Sequence, residues 1–84
     1  MIAVIMKYPT TGDREKDELF QRFVRETPGV LHAFQLENAE GGATVTVWET
    51  QAARDAYMAS ALRGDVDVAL PGLTREVFSV LSSK

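Results

Sequence analysis

Five side chains in this sequence have types that could line a pocket or do chemistry in one: His32, Phe34, Thr44, Trp48 and Tyr57. His32 is the only histidine, and histidine is the one side chain that ordinarily titrates near neutral pH. It could act as an acid-base group if a partner stood within hydrogen-bond reach. The plainer reading is a polar residue tolerated on an apolar strand face. Trp48 is the only tryptophan, a ring suited either to anchoring a core or to walling an aromatic pocket. Tyr57 could offer its hydroxyl to a bound oxygen, or carry that hydroxyl to solvent from a packed ring. A hairpin symmetric about Glu40 sets His32 opposite Trp48, Phe34 opposite Thr46 and Leu36 opposite Thr44. One face would then hold an imidazole, an indole, a phenyl ring and two hydroxyls, a mixture that suits a pocket lining better than a dry core. A one-residue slip would place His32 opposite Val47 instead.

Other chemistries find little support. There is no cysteine, hence no disulfide, thiolate nucleophile or thiolate metal site. The sequence holds no paired histidine ligands, no G-x-S-x-G and no dinucleotide fingerprint. Asp65-Val66-Asp67 lacks the glycine and later oxygen ligand of a calcium loop, since Ala69 and Leu70 stand there. Gly41-Gly42 reads as a turn. Asp13, Glu15, Asp17 and Glu18 read as a solvated helix start, favoured there by the helix dipole. No metal or cofactor is therefore expected.

The elements that position the candidate residues follow a repeated plan. An apolar strand, Ile2–Lys7, leads into a helix from Asp13 to Glu26, with Asp13 or Thr11 as its cap. Leu19, Phe20, Phe23 and Val24 form its apolar stripe, and Glu18 and Arg22 are spaced as an ion pair. Pro28-Gly29 stops it and opens a second strand, Val30–Glu37. A third strand, Ala43–Trp48, leads into a second helix, capped by Thr50, that runs to Arg63 and ends at Gly64. Asp65–Leu70 is an irregular return, and Pro71-Gly72 opens a fourth strand, Leu73–Leu81. This duplicated strand-helix-strand layout predicts an α+β, ferredoxin-like β-α-β-β-α-β sandwich. Two right-handed crossovers would put both helices on one face of a four-stranded antiparallel sheet of order 4-1-3-2.

Eighty-four residues make one domain, spanning 1–84, with a thin core. Strands one, three and four carry apolar residues toward both sides: Val4 with Ile5, Val47 with Trp48, Val77 with Phe78. Two helices cover one side only. The other predicts a homodimer packed sheet to sheet. Under the helices, Ala53, Ala56 and Ala61 would floor a cavity walled by Trp48, His32 and Phe34. Nine basic and twelve acidic residues give a net charge of −3 without a basic cluster. That disfavours nucleic acid, including RNA read on the sheet, and anionic membranes. The apolar start Met1–Met6 is too short for a signal-peptide core, and no segment is long enough to span a bilayer, so the expected location is the cytoplasm.

Several of these stretches resemble a known family. Gly12-Asp13 before a charged helix, Pro28-Gly29-Val30-Leu31, and Val45-Thr46-Val47-Trp48-Glu49-Thr50 are similar to the antibiotic biosynthesis monooxygenase (ABM) domain, one of the dimeric α+β barrel proteins. The resemblance covers nearly the whole chain. It implies a homodimer with a pocket in each subunit between sheet and helices, and a strand-three tryptophan, matched by Trp48, at the reaction site. Some members oxidise polycyclic phenols to quinones with O₂ and no cofactor; others degrade haem. This chain has Thr44 where similar quinone-forming members have an asparagine. It has Met58 where haem-degrading members have a histidine, and lacks their strand-one asparagine, so haem degradation is disfavoured. The expectation is a cofactor-independent monooxygenase acting on a phenolic aromatic. His32 and Trp48 are its catalytic candidates, and Phe34, Tyr57 and Thr44 its binding ones. The alternative is a non-catalytic small-molecule-binding or accessory module.

Overall fold

The computed structural model describes residues 1–9 and 14–83. The proposed caps Thr11 and Asp13, with Gly12, lie outside the described residues. The order is β1 (Ile2–Tyr8), α1 (Arg14–Glu26), β2 (Val30–Asn38), β3 (Gly41–Trp48), α2 (Gln51–Met58), α3 (Ala61–Ala69) and β4 (Thr74–Ser79). The four strands form one sheet in the order β2-β3-β1-β4, every neighbouring pair antiparallel. This is the ferredoxin-like α+β arrangement and strand order that the repeated layout predicts. Among the described residues no helix is long and apolar enough to cross a membrane.

Both Pro-Gly pairs act as turns for the same reason. Gly29 and Gly72 have φ of 88° and 81°, a region that residues with a Cβ rarely enter. Gly29 has a second role, because a Cβ there would overlap that of Ala53. Close approach of α2 to the start of β2 therefore depends on it.

The second crossover departs from the sequence expectation. One helix from Thr50 to Arg63 is replaced by two. Thr50 caps α2 by accepting from the Ala53 amide at 3.1 Å. The chain then breaks at Ala59-Ser60. Ser60 caps α3, accepting from the Arg63 amide at 3.3 Å while its hydroxyl donates to the Tyr57 carbonyl at 2.6 Å. A serine hydroxyl competes well for backbone groups, so it ends one helix and starts the next. The new start carries the chain through Gly64, which is not a stop, and makes the supposed return at Asp65–Leu70 mostly helical. Asp65 pairs with Arg22 and Asp67 with Arg75. Arg22 pairs with Glu26, and Glu18 with Arg14, in place of the expected Glu18–Arg22 contact.

The core lies between sheet and helices. Val4, Tyr8, Phe23, Trp48, Leu62, Val66 and Leu70 are buried there. On the sheet's other face Ala3, Ile5 and Phe78 sit beside Val45, Val47, Phe34 and Leu36. Phe34, Leu36 and Phe78 are 55%, 49% and 46% exposed.

Candidate functional site

The hairpin register decides which side chains meet. β2 and β3 pair with Asn38 opposite Gly41, Phe34 opposite Val45 and His32 opposite Val47. The turn is shorter than a loop centred on Glu40, because the Asn38 side-chain oxygen accepts from the amides of Glu40 and Gly41 at 2.8 and 3.2 Å. That Asx-type closure shifts every pair by one residue and, with period two, sends each β2 side chain to the opposite face. A bulge between Val30 and His32 then restores Val30 to the helix side, opposite Trp48. His32 and Phe34 thus lie on the uncovered face, away from Trp48. The shared face expected for them is corrected, and so is the pocket they were to wall.

Thr44, Trp48 and Tyr57 do come together. β3 turns Thr44, Thr46 and Trp48 inward, all buried. The Trp48 Nε1–H donates to Thr46 Oγ1 at 2.9 Å, and that hydroxyl is in turn 3.5 Å from the Val4 carbonyl. The buried indole is thereby satisfied within β3 and β1. Phe23 of α1 and Tyr57 of α2 close over it. Phe23 meets Trp48 and Tyr57 edge-on, at 5.8 and 5.1 Å between centroids, and Tyr57 tilts against Trp48 at 5.6 Å. Such ring pairs add about 0.5–1.5 kcal/mol each beyond their burial.

Beside this cluster is a cavity of about 60 Å³, with Val4, Met6, Phe20, Thr44, Trp48 and Met58 among its walls. Of the three alanines expected to floor it, Ala56 and Ala61 are exposed and Ala53 packs toward Gly29. The floor is instead the sheet.

Polar groups that sequence reasoning passed over also reach this cavity. Tyr8, Lys16, Gln35, Arg54 and Arg75 all line it. Tyr8 is 4% exposed, and among the described residues its hydroxyl has no hydrogen-bond partner. Gln35 stands beside it outside bonding geometry, its amide donating to Asp17 at 2.8 Å. Burial pushes the Tyr8 phenol above its ordinary value; Gln35 pulls the other way, while Asp17 and Glu37 add to the rise. Lys16 is 5% exposed, 3.7 Å from Glu37 and 5.2 Å from the centre of the Tyr8 ring. The signal for Lys16 was its spacing, since positions 16, 19, 20 and 23 share one helical stripe. Tyr57 is also raised, by burial first, against the charge and hydrogen bonding of Arg75. Both phenols are therefore protonated donors at neutral pH. Among the described residues no histidine or carboxylate lines the cavity, and no group of three or more potential metal ligands occurs.

No protein-family model matches the sequence, and no curated protein matches it. Solved structures do match its fold. SnoaB, a cofactor-independent oxygenase from Streptomyces nogalater, is similar at 16% identity with a TM-score of 0.75, over 98% of this chain and 94% of that one. A dimeric ferredoxin-like protein of unknown function from a Jannaschia species matches at 14% identity and 0.77, over 94% and 98%. A structure described as an antibiotic biosynthesis monooxygenase matches at 16% and 0.68, over 98% and 100%. At these identities the likeness establishes the ABM-like fold.

Proposed function

We propose that this chain is a cofactor-independent oxygenase of phenolic aromatic compounds, acting as a homodimer joined through its uncovered sheet face. The observation that carries the reading is an aromatic-walled cavity between sheet and helices, edged by phenol and amide groups. The fold shared with a cofactor-independent oxygenase supports it. The reaction in view converts a ring methylene beside a phenol into a carbonyl. Both methylene C–H bonds break and supply the four electrons that reduce O₂; one oxygen atom becomes the carbonyl, and the other leaves as water with the two hydrogens. Ionisation of the phenol makes the first electron transfer to O₂ easier. Tyr8 and Tyr57, as neutral donors, favour the ionised form by hydrogen bonding to its oxygen. With His32 on the other face, the proton departs to water rather than to a protein base.

Size limits what enters. A cavity of about 150 Å³ is one that binds benzene, and this one is about 60 Å³. A ring gains entry when Met58 and Phe20, both half-buried, change rotamer; methionine suits that adjustment. The test is oxygen uptake with hydroxynaphthalenes and anthrones. Turnover is expected to fall at least tenfold in Tyr57→Phe and to persist in His32→Ala. An absence of substrate consumption across the panel defeats the oxygenase reading. A second reading, a binding module without turnover, is favoured by the lack of any carboxylate or imidazole in the cavity wall among the described residues. Saturable binding without conversion is its signature.

A further inference from the structure

The cavity's charge does not match the chain's. The protein carries twelve acidic and nine basic residues, yet among the described residues the cavity is lined by three cations, Lys16, Arg54 and Arg75, and by no carboxylate. Carboxylates stand behind two of the three. Glu37 is 3.7 Å from Lys16, and Asp67 accepts from Arg75 at 2.6 Å. Arg54 differs. It is half-buried on α2, and among the described residues no carboxylate pairs with it. Its neighbour Asp55 is taken up by Gln51 at 2.8 Å. One positive charge is thus left over at the wall of an apolar, partly dehydrated space. A charge held there gains most from an opposite charge brought in by a ligand.

We infer that the cavity takes its aromatic ligand as an anion, a planar ring bearing a carboxylate or an ionised phenol, with Arg54 as the counter-charge. A guanidinium suits this role, since it stays charged at any working pH and presents a planar fork to two oxygens. The Tyr8 hydroxyl, without a partner among the described residues, is a second donor for the same ligand. This inference rests on the cavity being the ligand site, as in the proposed function, but not on any oxidation there.

The two are separable by experiment. Trp48, the only tryptophan, lines the cavity and reports binding by its fluorescence. Titration with hydroxybenzoate and naphthoate is compared with their neutral amides, hydroxybenzamide and naphthamide. A nitronaphthol already ionised at neutral pH separates a phenolate from a carboxylate. The anions are expected to bind about tenfold or more tightly than the amides, the span of a hydrogen bond to a charged group. Arg54→Gln is expected to abolish that preference while leaving amide affinity within about twofold, and Arg54→Lys to keep part of it. Arg25→Gln, at an exposed site on α1, removes the same charge without touching the cavity and is expected to leave the preference intact. Circular dichroism melts verify that each variant is folded. Equal affinities for acid and amide, no binding of either, or a preference surviving Arg54→Gln would overturn the inference. An anion preference without phenol oxidation removes the oxygenase and leaves this standing; oxidation without the preference does the reverse.

Discussion

The two faces of β3 invert the usual pattern of a half-exposed strand. Toward the helices it places two threonines and a tryptophan, Thr44, Thr46 and Trp48, all buried; toward the uncovered side it places Ala43, Val45 and Val47, only half-buried. A sheet with one wet face carries its polar residues there. Here the hydroxyls are under the helices and the aliphatic side chains are outside. The covered face is therefore built to include polar chemistry in an interior. The uncovered face carries aliphatic side chains of the kind that mark an interaction surface, the one through which dimerisation is proposed. One strand thus has a polar-bearing face inside its own chain's core and an apolar face that the same chain leaves uncovered.

Breaking the uncovered face gives the largest expected effect. Val45→Asp or Ile5→Glu would bury a charge in the proposed sheet-to-sheet contact, at several kcal/mol, weakening a dimer on the order of a thousandfold. Sedimentation is expected to show a dimer for the wild type and a folded monomer for the variants. A wild-type monomer at micromolar concentration breaks the comparison outright.

The covered face is tested at Gly42 and Tyr8. A Cβ at Gly42 would run into the Tyr8 ring, so Gly42→Ala is expected to lower stability by about 1–3 kcal/mol through overpacking. Tyr8→Phe should act in the opposite direction. It deletes a buried hydroxyl without a partner among the described residues and is expected to raise stability by about 1 kcal/mol while weakening ligand binding. Thermal melts paired with Trp48 titrations check both. A loss of stability in Tyr8→Phe would mean that the hydroxyl is satisfied in solution.

The smallest effect is confined to alkaline pH. Tyr8 and Tyr57 both have raised folded values, above the ordinary value of about 10. Below that value both are protonated in folded and unfolded chains alike, so they add no pH dependence near neutrality. As pH rises past it, the unfolded chain ionises first, and stability is lost through the raised folded values. Tyr57→Phe is expected to flatten that loss in melts followed between about pH 9 and 11, the range around the free phenol value.

How far the sequence could be read varied from place to place. The strand order and the Pro-Gly turns were legible because they rest on period, chirality and backbone freedom, all local or topological. The sheet-edge partnership of His32 was not. Its face depends on where a hairpin closes, and Asn38 closing the turn with its side chain is worth one residue of register, enough to reverse a strand. Lys16 was obscured by its charged neighbours from Arg14 to Glu18, although its position on the stripe of Leu19, Phe20 and Phe23 predicts burial. The helix break at Ser60 had only a serine to announce it, and serines occur within helices often enough to hide it. Trp48 was legible as an important ring, but the aromatic partners that enclose it come from two different helices.

The joint between α2 and α3 has a consequence for rates. Arg54, Tyr57 and Met58 all belong to α2, which contains no fully buried residue, whereas α3 buries Leu62 and Val66. Tyr57 anchors α2 to the core, but a helix with no fully buried residue is expected to open at a lower free energy than α3. Because Ser60 starts α3 afresh, α2 can lift without unwinding its neighbour. Hydrogen exchange is therefore expected to be faster along the eight residues of α2 than along α3, and that local opening would add to the rotamer changes of Met58 and Phe20 in admitting a ligand to the proposed site.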